Sequence, residues 1–326
     1  VTYPYKQTFR ISDQVTVCFY DAGHILGSAM IELEVFEDNA VKKIIFSGDI
    51  GRQNKPILCD PTLFKEADIV FMESTYGDKI HQSEEVEAKK LAQIINHTIR
   101  VGGNIIIPTF AIERAQELLF FLSKLLREKI IPHIFVFVDS PMAINVTRVF
   151  KKYSQYFDNH TRLLMEKDHS PFDFPLLKLT QTVNESKSIN HIKGSAIIMA
   201  GSGMCTGGRI KHHIITNITR SESSIVFVGY QAKGTLGREI LEKPKVVRIL
   251  GQRYKVKAQI ENINGFSAHA DKNDLFNWIN SFSKKPEKIF LVHGEEEVIN
   301  KFTLFLKKKK IKSQIIVPEY LSEFSL

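Results

Sequence analysis

Six side chains in this sequence combine a reactive type with a place where an apolar run gives way to a polar turn. His24 sits in "YDAGHILGSA", Asp49 in "IIFSGDIGR" and Glu73 in "VFMESTYGD". His269 lies in "INGFSAHADKNDL", His293 in "KIFLVHGEEE", and Arg114 in "IPTFAIERAQELL", where a strand end leads into a helix. Histidine is the commonest metal ligand and the usual general acid near neutral pH. In open α/β sheets such groups gather beyond the carboxyl ends of the strands. One strand-end histidine is ordinarily a cap or a backbone partner. The joint pattern, with ligating side chains in Gly- and Ser-rich turns, is that of a metal site hung on a sheet.

Strands must carry these groups. "QVTVCFY" and "AMIELEVF" alternate, with Ile31, Leu33 and Val35 on one face and Glu32 and Glu34 on the other, the period of a half-buried strand. "KKIIFSGD" and "ADIVFMES" are continuous apolar runs that end in polar turns, as buried strands do. From about Ser83 the period becomes helical. "SEEVEAKKLAQIINHTIRVGG" has a Ser cap, an acidic first turn, apolar Leu91, Ile94, Ile95 and Ile99, and a closing Gly pair. Strand "NIIIP", helix "AIERAQELLFFLSKLLRE", strand "IFVFVD" and helix "MAINVTRVFKKY" follow, then "SAIIMAG", "GGRIKHHIIT" and "SSIVFVG". Alternating β and α units predict a parallel sheet with helices on its faces. From about Ile263 one more βα pattern runs through "NDLFNWINSF", "KIFLVHG", a Lys-rich helix and "SQIIVP". The middle reads as a domain inserted into another, with segments 1–79, 80–262 and 263–326.

Composition sets outer bounds. The 326 residues, 43% of them apolar, suffice for about two domains with full cores. Lys and Arg outnumber Asp and Glu by 44 to 36, a net charge of +8 that favours polyanionic partners. Cys18, Cys59 and Cys205 form no C-x-x-C pair, which argues against a disulfide framework or a zinc–thiolate cluster and for a reducing, cytoplasmic setting. No apolar run approaches the roughly 18 residues of a membrane helix. The first residue is Val1, in a region that reads as strand, and the expectation is that the natural N-terminus lies upstream.

The glycine-rich "AGSGMCTGGRIKHH" joins a strand to a helix, where backbone N–H groups and the helix dipole can hold phosphate. Arg209, Lys211 and His212 add charge there, but the G-K-[ST] ending of a P-loop is absent, and an ordinary βα turn is the plain alternative. "DAGHILGSA", "SGDIG", "ESTYG", "PTFAIERAQELL", "SPMA", "GSGMCTGGR", "GYQAKGTLGR", "GFSAHAD" and "LVHGE" occur in that order. Together they resemble the β-CASP ribonucleases of the metallo-β-lactamase fold. That group holds bacterial and archaeal RNA-processing enzymes and the endonuclease of pre-mRNA 3′-end cleavage. The resemblance runs from about residue 20 to 300. It implies an α/β fold, an αββα metallo-β-lactamase sandwich, here incomplete at the N-terminus, interrupted by a Rossmann-like β-CASP cap.

The resemblance further implies a zinc-dependent ribonuclease. His24 would bind one Zn²⁺, Asp49 would bridge two, and His293 would complete the second. Two Zn²⁺ roughly 3.5–4 Å apart can generate hydroxide at neutral pH and hold the attacked phosphate. Glu73 and His269 would form the acid pair that protonates the leaving oxygen, the carboxylate keeping the imidazole protonated and oriented. Arg114, Thr109, Ser202, Gly203, Thr206, Gly208, Arg209 and Ser267 fall on the motifs that would grip RNA. RNA is the implied partner, no membrane is involved, and a homodimer is left open.

One departure stands beside this. The family's principal metal motif, H-x-H-x-D-H, would precede His24, and no such pattern occurs in the 326 residues. His212 and His213 fall on a predicted helix with no Asp nearby and do not replace it. The expectation is that the missing ligands belong to sequence before Val1. A catalytically inactive RNA-binding or scaffold subunit is the competing reading, and the presence of His24, Asp49, Glu73, His269 and His293 counts against it. A DNA-processing β-CASP nuclease is a third, against which "LVHGE" speaks, because that branch typically lacks histidine at this position. The lysines at 307–310 read as a soluble helix end, and Trp278 with Leu275 and Ile279 as core. His81, His97, His133, His160, His169 and His191 read as surface or core residues.

Overall fold

The structure is a computed structural model that describes residues 2–37, 40–167, 170–192, 194–263 and 265–325, and His169 lies outside them. Among the described residues the chain opens with strands β1 (Thr8–Ser12), β2 (Val15–Asp21), β3 (Ala29–Glu37), β4 (Ala40–Phe46) and β5 (Ile69–Glu73). Helix α1 (Glu84–Arg100), β6 (Ile105–Pro108), α2 (Arg114–Arg127), β7 (Phe135–Val138) and α3 (Pro141–Lys152) alternate next. Then come α4 (Asn159–Glu166), β8 (Leu177–Leu179), α5 (Val183–Ser188), β9 (Ala196–Ala200), α6 (Ile210–Asn217) and β10 (Ser224–Val228). After α7 (Leu236–Leu241) a hairpin of β11 (Val246–Ile249) and β12 (Gln252–Lys255) leads to β13 (Gln259–Ile263). The chain closes with α8 (Lys272–Asn280), β14 (Lys288–Val292), α9 (Glu296–Lys308) and β15 (Gln314–Ile316).

Internal contacts divide the chain into two units, Val1–Ile80 with Ala268–Leu326, and His81–Ser267. The later division falls beyond residue 262. There β13 stays paired with β10 as far as Ile263, and Gly265 N donates to the Glu87 carboxylate at 2.9 Å.

The first unit holds a sheet in the order β1-β2-β3-β4-β5-β14-β15, antiparallel up to β4 and parallel from β4 onward. Side chains alternate across it. Val70, Met72, Ile289 and Leu291 pack with Leu275, Trp278 and Ile279 of α8 and with Phe302 and Leu306 of α9. Trp278 is fully buried and its Nε1 donates to Thr62 O at 2.9 Å. On the other face Phe46, Phe71 and Phe290 stack in a row, with ring centroids 4.6 and 4.5 Å apart. The lysines at 307–310 are exposed at the end of α9.

The second unit is built on an all-parallel sheet in the order β13-β10-β6-β9-β7-β8. Its central strands are buried along their whole length, which is why the sequence there shows apolar runs and no alternation. Ile106, Ile198, Ile225 and Phe227 form its core with Ile210 and Ile214 of α6. Helix α2 starts at Arg114, later than the "AIERAQELL" pattern predicts. Glu113 lies at φ +64°, in the left-handed region that a continuous right-handed helix excludes. Among the described residues no helix is long and apolar enough to cross a membrane.

Candidate metal and acid–base centre

The parallel run of β4, β5 and β14 delivers three reactive groups to one sheet edge. Phe46 pairs with Phe71, and Val292 with Glu73. Continuing those registers brings Asp49 and His293 level with Ser74, one residue past Glu73. Strand β2 runs in the same direction, two antiparallel steps away, and ends shortly before His24.

Glycines let the turns beyond these strands touch. A β-carbon on Gly51 would sit 1.8 Å from the Gly23 carbonyl oxygen. One on Gly23, at φ +62°, would sit 2.8 Å from the Cys59 carbonyl oxygen. The turns are then tied together: Gly51 N donates to Ala22 O at 2.8 Å, and Ala270 N to Ile50 O at 2.7 Å. Ser28 Oγ accepts from the amides of His24 and Ile25 at 3.2 and 3.3 Å. His24, Asp49 and His269 therefore stand on backbones that hold one another in place.

Asp49 lies between two histidines, with Oδ1 2.8 Å from His293 Nδ1 and Oδ2 3.7 Å from His24 Nε2. One ligand atom each from His24, Asp49 and His269 come within 4.8 Å of one another. The rings of His24 and His269 are 4.3 Å apart. Burial, and then the charge of His269, bring the His24 pKa down to about 4. His24 is thus neutral near pH 7, the form in which imidazole ligates a metal. Its Nδ1 is buried without a hydrogen-bond partner among the described residues. A neutral, under-bonded imidazole beside a carboxylate shared with a second histidine is a donor set that fits zinc.

Glu73 is buried behind this cluster. Its Oε1 accepts from Ile50 N at 2.6 Å and lies 3.2 Å from His269 Nδ1, while Oε2 accepts from Thr75 N at 3.3 Å. The fold thus gathers His24, Asp49, Glu73, His269 and His293 in the first unit.

The residues expected to grip RNA lie in the second unit. Thr109 follows β6 and is buried, its amide donating to Ala200 O at 3.0 Å and its hydroxyl to Phe110 O at 3.1 Å. Ser202 Oγ closes its own loop by accepting from Gly207 N at 3.2 Å. Gly203 is buried, Thr206 exposed and Ser267 buried. Gly208, at φ +81°, passes so close to Gly201 O that a β-carbon would lie 2.2 Å from it. Arg114 donates from Nη1 to Glu117 at 2.8 Å, and its buried Nε has no hydrogen-bond partner among the described residues.

Arg209 also makes internal contacts. Its Nη1 donates to Asp139 Oδ1 at 2.7 Å and its Nη2 to Gln181 O at 2.7 Å. The same fully buried carboxylate also meets His213 Nε2 at 2.6 Å and the Thr180 hydroxyl at 2.7 Å. Burial pushes the Asp139 carboxyl up, but the hydrogen bonds of His213, Ser186, Thr180 and Arg209 outweigh it and bring the pKa down to about 2. Arg209 and His213 thus hold an internal charge. Asp139 stands 74 positions from His213, and its one mark in the sequence is as the acidic residue that closes "IFVFVD". Arg209→Ala is expected to cost about 3 kcal/mol of stability by leaving that charge under-paired. Denaturant unfolding checks this, and an unchanged midpoint would show that Arg209 is dispensable to the fold.

Residues 115–240 match the Beta-Casp domain, and residues 253–318 match the Zn-dependent metallo-hydrolase RNA specificity domain. The chain is 35% identical to Ribonuclease TTHA0252 of Thermus thermophilus, over 87% of its own length and 63% of that protein's. It is 32% identical to an RNase J-like protein of Methanocaldococcus jannaschii, over 96% of its own length and 72% of the relative's. It is 31% identical to the transcription termination factor FttA of the same organism, over 96% and 50%. The chain therefore spans between half and about three quarters of the length of these relatives. With an inserted parallel sheet and a mixed sheet bearing the His/Asp cluster, these similarities make the chain a member of the β-CASP ribonuclease family of the metallo-β-lactamase fold.

Proposed function

We propose that this protein is a zinc-dependent ribonuclease that hydrolyses RNA phosphodiester bonds with a Glu73–His269 acid pair beside a two-metal centre. The observation that carries the reading is the 3.2 Å contact of Glu73 with His269 Nδ1, next to a carboxylate, Asp49, that two further histidines share. His24 would hold one ion, Asp49 both, and His293 the second. Zinc bound there supplies Lewis acidity to a phosphoryl oxygen and a nucleophile made from water at neutral pH.

The chain's own contribution is proton delivery. The amides of Ile50 and Thr75 fix the Glu73 carboxylate, which in turn fixes the His269 ring through Nδ1–H. Nε2 then carries the proton that passes to the departing ribose oxygen as its bond to phosphorus breaks. His269 is left neutral, with Nδ1–H still on Glu73. A ribose oxygen is a poor leaving group without that proton, and general acid help is worth about 10²–10⁴ in rate. In the second unit Arg114 offers its under-bonded guanidinium to a phosphate. Thr109, Ser202, Gly203, Thr206 and Gly208 line the carboxyl ends of β6 and β9, where such sheets hold ligands. RNA as substrate is supported by the net charge of +8, by the matched RNA specificity domain and by the relatives named as a ribonuclease and an RNase J-like protein.

The test, made on the natural full-length protein, is cleavage of labelled single-stranded RNA, and of DNA of the same sequence, before and after chelation. RNA should be cut, DNA spared, and cleavage lost on chelation and restored by zinc. Cleavage that survives complete metal removal would overturn the reading. So would RNA that is bound but uncut with zinc present, the behaviour of an inactive RNA-binding subunit.

A further inference from the structure

Two neighbouring strands of the second unit are each followed, two residues past their ends, by an exposed aromatic residue. Phe110 follows β6 and Tyr230 follows β10, and they are 42% and 50% exposed. The two strands pair in parallel, and continuing the register that sets Ile106 beside Ile225 brings Phe110 level with Gly229, next to Tyr230. Among the described residues neither ring stacks on another, and the Tyr230 hydroxyl has no hydrogen-bond partner. Single exposed apolar side chains are commonplace, but Phe110 is seated. A β-carbon on Gly203 would fall 2.7 Å from two of its ring carbons, so the ring rests against the glycine-rich loop after β9 and is fixed there.

Positive charge is carried by the adjoining segments. Arg114 Nη2 would lie 3.7 Å from a β-carbon on Gly229, the residue before Tyr230. Exposed Lys233 follows on the same loop, and Lys211 follows the loop that seats Phe110. Flat rings following strands about 4.8 Å apart, with cations on the segments beside them, suit a chain with unstacked π-faces and regularly spaced phosphates. Unpaired RNA is such a chain, whereas a duplex keeps its base faces within its own stack.

We infer that Phe110 and Tyr230 form a base-stacking site for unpaired nucleotides, one base to each ring, indifferent to base identity. This rests on the reading of RNA as substrate. The test measures affinity, at one fixed salt concentration, for a labelled single-stranded RNA and for an abasic oligomer of the same length. Stacking on an aromatic side chain is worth about 1–3 kcal/mol per base. Phe110→Leu and Tyr230→Leu should therefore each weaken RNA binding by about 5- to 150-fold and leave binding of the abasic oligomer unchanged. Tyr230→Phe should bind as wild type does, because the ring and not the hydroxyl is used. Leucine keeps an apolar group against Gly203, and an unfolding curve confirms that each variant folds. Equal losses on both oligomers would make the rings backbone contacts, and no loss on either would leave them to another partner such as a protein. Both results overturn the inference while the ribonuclease reading stands. A wild-type protein that neither binds nor cuts RNA overturns that reading itself.

Discussion

Asp49→Ala is expected to remove zinc and RNA cleavage together. The Asp49 carboxylate reaches both sides of the proposed centre, at 2.8 Å from His293 Nδ1 and 3.7 Å from His24 Nε2. In the proposed centre its charge would serve both ions, and its loss would weaken each of them. Deleting an outer partner of a metal ligand already costs about 10–100-fold in affinity, and a shared ligand costs more. The side chain is 39% exposed, so the fold should tolerate the change. Asp49→Asn separates charge from shape: it should fold as wild type does and yet lose zinc like the alanine variant. Metal analysis of dialysed protein and a labelled-RNA assay decide the matter. A wild-type zinc content in Asp49→Ala protein would remove Asp49 from the metal shell.

His269→Ala should do something different, lowering RNA cleavage by about 10²–10⁴-fold with zinc content unchanged. The distinction matters because a ligand atom of His269 lies within 4.8 Å of those of His24 and Asp49, close enough to join them on a metal. Its contact with Glu73 argues for the acid role, since a carboxylate at Nδ1 orients the ring and leaves Nε2 for the leaving oxygen. A second readout isolates proton donation. Bis(p-nitrophenyl) phosphate releases p-nitrophenolate, a stable anion that needs no acid, so the variant should hydrolyse it at close to the wild-type rate. Loss of zinc in His269→Ala protein, or equal losses on RNA and on the activated diester, would assign His269 to the metal instead.

The groups in this centre are legible one at a time because each is marked locally. His24, Asp49, Glu73 and His293 follow apolar runs and sit at or in Gly- and Ser-containing turns, so residue type and neighbouring sequence are enough to nominate them. The parallel sheet of the second unit is legible for a similar reason: strands buried on both faces must be apolar throughout, and helices between them carry their own period and caps. The start of α2 was not, because the left-handed φ of Glu113 leaves no mark in a pattern that is helical on both sides of it.

Partners are what the sequence by itself did not determine. Glu73 and His269 are 196 positions apart and meet at 3.2 Å, a contact that followed from family resemblance and not from spacing. His213 has no Asp near it along the chain, yet Asp139 lies 2.6 Å from its Nε2. The cause is sheet order: β7, which ends before Asp139, lies beside β9, whose loop leads into α6. Arg209 reads as a phosphate ligand from its glycine-rich surroundings, and the same juxtaposition pairs it with Asp139. Residue types and their periods set which segments become strands and which side chains are buried, and both can be read locally. Which buried carboxylate a given cation meets depends on which strands are neighbours, and non-local pairing of the whole sheet decides that.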